Sequence, residues 1–100
     1  MRWRLSVIKG WFERHFPEHT VECAIVSGRA VVRFRAYGAA PNASRHELEI
    51  AFAALEEHGA ALIAHDLDAA HALELWRRDP TAQLRYDRHR RLRATTKDAW

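Results

Sequence analysis

The stretch T20-V-E-C-A-I-V-S-G-R-A-V-V-R-F-R-A-Y37 constrains the fold more than any other part of the chain. Two runs rich in strand-forming residues flank Gly28-Arg29, which reads as a two-residue turn with Gly28 supplying the positive φ of a type II′ hairpin. That register sets Val21 opposite Ala36, Cys23 opposite Phe34 and Ile25 opposite Val32, so these residues share one apolar face. Glu22, Ala24, Val26, Val31, Arg33, Arg35 and Tyr37 take the other face, with Glu22 opposite Arg35. A slip of one residue would drive arginines into the core, so the register is well specified. Cys23, on the apolar face, is expected to behave as a small inert core residue.

A hairpin alone is marginal in water, so other elements must cover its apolar face. Leu5, Ile8, Phe12 and Phe16 recur at helical spacing with Trp11 beside them, and Pro17 ends that helix. Ser44 and Glu47 match a capping box, and Leu48, Ala51, Phe52 and Leu55 form a stripe that runs to a stop at Gly59. This pattern predicts a second helix. Ala60–Ala64 reads as a short third strand or a buried loop. Asp66 reads as the cap of a third helix with Ala69, Ala72, Leu73 and Trp76 on its stripe and Pro80 at its end. Thr81 then caps a last helix running to about Arg93. The expected fold is α+β: one domain over residues 1–100, with an N-terminal helix, a β-hairpin (with the short third strand as an option), then three helices packed on the sheet.

The segment G38-A-A-P-N-A-S-R-H-E-L-E-I-A-F-A-A-L55 looks like the end of a double-stranded RNA-binding domain, where a loop leads into an alanine-rich helix. It covers under a fifth of the chain, the third antiparallel strand of that family is not visible, and Arg45-His46 is followed by Glu47 and Glu49 where a basic stretch is expected. The resemblance is therefore set aside.

Charge is the feature that bears on function. The net charge of +3 is unevenly spread. Residues 1–76 carry eight basic groups against ten acidic ones, whereas residues 77–93 carry seven arginines against Asp79 and Asp87. A mildly acidic body with a basic C-terminal helical arm at about 77–96 suggests an anionic partner. Arginine outnumbers lysine 14 to 2 and alanine reaches 18, a bias that a GC-rich genome also produces. The candidate contacts are Arg77, Arg78, Arg85, Arg88, Arg90, Arg91 and Arg93, joined by Arg33, Arg35 and Tyr37 on the outer hairpin face. A guanidinium suits phosphate because its planar fork donates two hydrogen bonds at once.

Four tryptophans are many for a chain this size, and Trp3, Trp11 and Trp100 are interface candidates. Seven histidines invite a metal reading, but Pro17 separates His15 from His19, and His65 and His71 fall on different sides of a helix. His65-Asp66 resembles the metal-binding dipeptide of phosphohydrolases without their other ligands. No HExxH, CxxC, GxSxG or phosphate-binding glycine loop occurs, so no catalytic residue, metal or cofactor is assigned. One cysteine allows no internal disulfide, and no apolar run reaches membrane-spanning length, so a cytoplasmic protein with no membrane partner is the default. The N-terminus has no long apolar core of the kind a signal peptide needs. The expected function is a small non-enzymatic accessory or regulatory protein, of bacterial or phage type, that binds DNA or RNA through the arm. The alternative is an adaptor or inhibitor of phage anti-defence type that meets an acidic protein surface through exposed aromatics and the arm, with a homodimer as a further option.

Overall fold

The hairpin forms in the expected register. In the computed structural model, which describes residues 2–38, 45–79 and 81–95, β1 (Thr20–Val26) pairs antiparallel with β2 (Val31–Tyr37). Glu22 faces Arg35, Cys23 faces Phe34 and Ile25 faces Val32. The turn differs in detail. Ser27–Arg29 make one 3₁₀ turn closed by the Ala30 N–H on the Ser27 carbonyl at 3.2 Å, and the left-handed position is Ala30, at φ 51°, rather than Gly28.

The expectation of a hairpin followed by three helices is corrected, because the sheet has five strands in the order β1-β2-β3-β4-β5. β3 (Arg45–Ala51) lies where a capped helix was expected. Its side chains alternate: His46, Leu48 and Ile50 join the core, while Glu47 and Glu49 pair with Arg35 and Arg33 of β2. Leu48 fits a helical stripe and the inward face of a strand equally well, and the ion pairs and strand pairing decide for the strand over local helix propensity. The likeness to a loop leading into a helix therefore fails at residues 45–51.

The last expected helix is also absent. Residues 83–86 and 92–95 form β4 (Gln83–Tyr86) and β5 (Leu92–Thr95), an antiparallel hairpin, so what was read as a helical arm folds into the sheet. Thr81 caps no helix; its N–H and hydroxyl both donate to Asp79 Oδ1, at 3.2 and 3.0 Å, in a turn that leads into β4. β4 runs parallel to β3, which requires a crossover. Three helices supply it: α2 (Phe52–His58), α3 (Ala60–Ala69) and α4 (Ala72–Arg78). The apolar run 60–64 is thus the start of a helix and not a third strand. Gly59 does end α2, with its N–H on the Leu55 carbonyl at 3.1 Å, and its φ of +80° lets α3 begin at once.

These three helices and α1 (Arg2–His15) cover one face of the sheet. The core holds Ile8, Trp11 and Phe12 of α1, Leu55 of α2, Ile63 and Leu67 of α3, and Trp76 of α4. These pack against Val32, Phe34, Leu48, Ile50, Leu84 and Tyr86 from three neighbouring strands. Phe12 stacks on Phe34 with centroids 5.8 Å apart, and the Trp76 indole N–H is satisfied by the Ala82 carbonyl at 3.0 Å. Among the described residues no helix is long and apolar enough to cross a membrane. Cys23 departs from expectation: β1 is an edge strand, and the thiol is exposed.

Candidate nucleic-acid interface

The second face of the sheet has no helix on it among the described residues. On β2 it presents Val31, Arg33, Arg35 and Tyr37; on β3, Arg45, Glu47, Glu49 and Ala51. On β4 and β5 it presents Gln83, Arg85 and Arg93. The alternation of the strands places these residues side by side because every partner in the register shares a face.

Glu47 and Glu49 lie at the floor of this face, each with only 9% of its side chain exposed. Burying a carboxylate is costly unless cations and donors surround it. Glu49 Oε1 accepts from Arg29 Nη1 and Arg33 Nη2, both at 3.1 Å, and its Oε2 lies 3.6 Å from Arg85 Nε. Glu47 Oε2 accepts from Gln83 Nε2 at 2.9 Å, and its Oε1 lies 3.3 Å from Arg35 Nε. The last contact and the Arg85 contact are close in charge but poorly aligned, since the Nε atoms of Arg33, Arg35 and Arg85 are buried without a hydrogen-bond acceptor. At the β1 margin the Tyr37 hydroxyl donates to Glu22 Oε1 at 2.5 Å, which raises the tyrosine pKa by stabilising its protonated form.

The charges do not balance. Six arginines (29, 33, 35, 45, 85 and 93) share the face with Glu22, Glu47, Glu49 and, at the end of β4, Asp87, a surplus of two positive charges. The imbalance concentrates at one end. Three guanidiniums gather around Glu49, and Arg85 stands directly opposite Arg93 in the register of β4 and β5. Among the described residues, Arg93 has no carboxylate within ion-pair distance. Like charges in directly opposed positions destabilise a strand pair. A hollow of about 180 Å³ lies beside this cluster, lined by Arg29, Glu49, Arg85, Tyr86 and Asp87 among others.

The β4–β5 turn carries the rest of the sequence's basic cluster in other roles. Asp87 Oδ1 accepts the N–H groups of His89 at 2.8 Å and Arg91 at 3.0 Å, which shapes the turn, and Arg90 occupies its left-handed position at φ 62°. The Arg90 guanidinium then makes a two-pronged contact with Asp66 of α3 at 2.8 and 2.9 Å, and the Tyr86 hydroxyl donates to the same carboxylate. The Arg90 pair is the main reason the Asp66 pKa falls to about 2, while burial and that bond push the Tyr86 phenol up. Arg90 is therefore a clamp holding the turn to the helix layer. Arg88 is exposed and pairs with Glu57 of α2 at 3.2 Å, and Arg91 is exposed beside it.

Of the residues singled out in the sequence, Arg33, Arg35, Tyr37, Arg85 and Arg93 meet on the open face. Arg88 and Arg91 stand at its end in the turn, whereas Arg77 and Arg78 are exposed on α4, in the layer on the opposite side of the sheet. Arg29, Arg45 and the glutamate floor were not singled out. Their signal was the repeat Arg33-x-Arg35 facing Glu47-x-Glu49, legible only once 45–51 is taken as a strand. Trp11 is a core residue whose indole N–H donates to Asp68 at 2.9 Å. Trp3 lies within α1, its side chain and Trp100 being outside the described residues. No cluster of three metal-ligating side chains occurs among the described residues. His19 and His46 stack on each other and on Phe16 at the rim of the core, with His46 also against Trp76. No family model, no curated protein and no solved structure matches this chain.

Proposed function

We propose that this protein binds the sugar–phosphate backbone of a nucleic acid through the open face of its sheet. The observation that carries this reading is the unbalanced arginine cluster at the β4–β5 end, above all Arg85 set against Arg93. A fold that needed only a solvated sheet face would gain by placing a carboxylate or a neutral residue at either position. A bound phosphate turns that repulsion into two donors for one anion, because each guanidinium offers a fork of N–H groups. Glu47 and Glu49 anchor Arg29, Arg35 and Arg85, whose side chains stay partly exposed at 46%, 38% and 39% and so within reach of a phosphate. Tyr37 and the exposed Arg45 extend the basic face towards β1, where an aromatic ring can stack on an unpaired base.

Contacts of this kind position a backbone without reading sequence. Binding to generic DNA and RNA at low salt, followed as salt is raised, is the direct test. With about four arginines on phosphate, the log–log slope of affinity against salt is expected near −3 to −4. Absence of binding to either polymer at low salt overturns the proposal and shifts the assignment to an acidic protein surface.

A further inference from the structure

The sheet has two edges, and they are built differently. β5 is four residues long, carries Arg93 at its second position and follows a turn bearing three further arginines. Short length and charge are standard protections against unwanted strand pairing. β1 lacks the first and has little of the second. It is seven residues long, contains no proline or lysine, pairs with β2 along its whole length without a bulge, and has Glu22 as its one charge. Five of its seven residues are exposed, and Ile25, at 57%, is the most exposed large hydrophobic side chain among the described residues. A long, flat, apolar edge with outward-facing N–H and C=O groups is a template for another strand.

We infer that β1 is the interface for a second copy of this chain, the two β1 strands pairing antiparallel about a two-fold axis at Cys23. Symmetry selects the register. An antiparallel pair of identical strands in one continuous sheet has its two-fold axis perpendicular to the sheet, and it passes through a position where a residue faces its own copy. Only the axis at the fourth residue of Thr20–Val26 pairs all seven positions, and that residue is Cys23. In this register Val21 faces Ile25 of the second copy, Ile25 faces Val21, and the two cysteines meet, which gives an unbroken apolar row on the helix side. On the other side Glu22 faces Ala24, so the single charge of the strand meets no like charge. Moving the axis to Glu22 would set the two glutamates against each other, and moving it to Val21 or Ala24 would leave positions unpaired. The perpendicular axis also puts both helix layers on one side and both arginine faces on the other, in one ten-stranded sheet.

The inference does not depend on nucleic-acid binding, and it is tested without it. Sedimentation of the wild-type chain across a micromolar concentration series is expected to show a reversible monomer–dimer equilibrium. Ala24→Glu places carboxylates opposite Glu22 at two symmetric points and is expected to weaken the dimer about tenfold. Ala24→Lys, which offers Glu22 an opposite charge, is expected to keep or tighten it. The fold tolerates the first change, because Ala24 faces Arg33 within its own chain; thermal melts of the dilute monomer verify this. A short bis-maleimide is expected to join two chains through Cys23, the only thiol. A chain that stays monomeric throughout the series overturns the inference. So does a dimer that neither Ala24 variant affects, or one whose Cys23 thiols the linker fails to join.

Discussion

The two faces of the central strands use opposite means to the same end. On one face Phe34, Leu48, Ile50 and Leu84 are fully buried against aromatic rings and aliphatic side chains of four helices. On the other face Arg33, Glu47, Glu49 and Arg85 sit in the same strands, one residue along, and cover the backbone with ion pairs that remain partly wet. Apolar burial is non-directional and grows with area, whereas a carboxylate floor ringed by arginines is stabilising only while its partners stay in place. The first face should therefore govern stability and the second should govern what the protein touches.

Substitutions can break this division, and the largest effect belongs to the dry face. Phe34→Ala leaves a cavity under Phe12 and is expected to cost about 3–5 kcal/mol in chemical denaturation. Next comes Glu49→Gln, expected to cost roughly 1–3 kcal/mol because three guanidiniums lose their shared anion. The same change should tighten binding to polyanions, since the face gains one unit of positive charge. A loss of both stability and affinity would show that Glu49 shapes the binding surface and does not merely neutralise it. Arg33→Ala is expected to cost under about 1 kcal/mol, since Glu49 keeps Arg29. Equal destabilisation by Phe34→Ala and Arg33→Ala would contradict the assignment of faces.

The clamp between the β4–β5 turn and α3 adds a pH dependence. Asp66 titrates at about 2 in the folded chain, below the ordinary carboxylate value of 3.8, chiefly because Arg90 is bound to it. A depressed folded pKa contributes stability that is present in full above the unfolded value and is lost as pH falls through the folded one. The difference in melting temperature between wild type and Asp66→Asn should thus be constant near neutrality and shrink between about pH 4 and pH 2. A gap that persists at pH 2 would assign the effect to Tyr86 geometry instead of charge. The smallest effect is expected from a chelator, which should leave the melting temperature unchanged; a clear drop would reveal a metal bound by the histidines.

The hairpin was legible in the sequence because its two strands alternate cleanly and both flank a tight turn. β3 was not, because R45-H-E-L-E-I-A51 is rich in helix formers and follows a serine placed like a cap. Only the charge match to Arg33 and Arg35 separates the two readings, and that match is a tertiary fact. The β4–β5 hairpin was hidden for a different reason. Its left-handed turn position is held by Arg90, tied down by Asp66, where a glycine would have announced it. The site was half visible: Arg33, Arg35, Tyr37, Arg85 and Arg93 were chosen for charge, but reading 81–93 as a helix scattered its arginines around an axis. As strands they point to one face, and Arg90 leaves the set to become a structural clamp.

The assignment of function to the open face is tested most directly by comparing two charge-neutralising pairs in the same binding assay. Arg85→Gln with Arg93→Gln removes two cations from the open face, and relieving their mutual repulsion leaves the strand pair intact. Arg77→Gln with Arg78→Gln removes the same charge from α4, on the opposite side of the sheet. The slope of log affinity against log salt is expected to flatten by roughly two units for the first pair and to stay at the wild-type value for the second. An unchanged slope for the open-face pair, or an equal change for both, would contradict it.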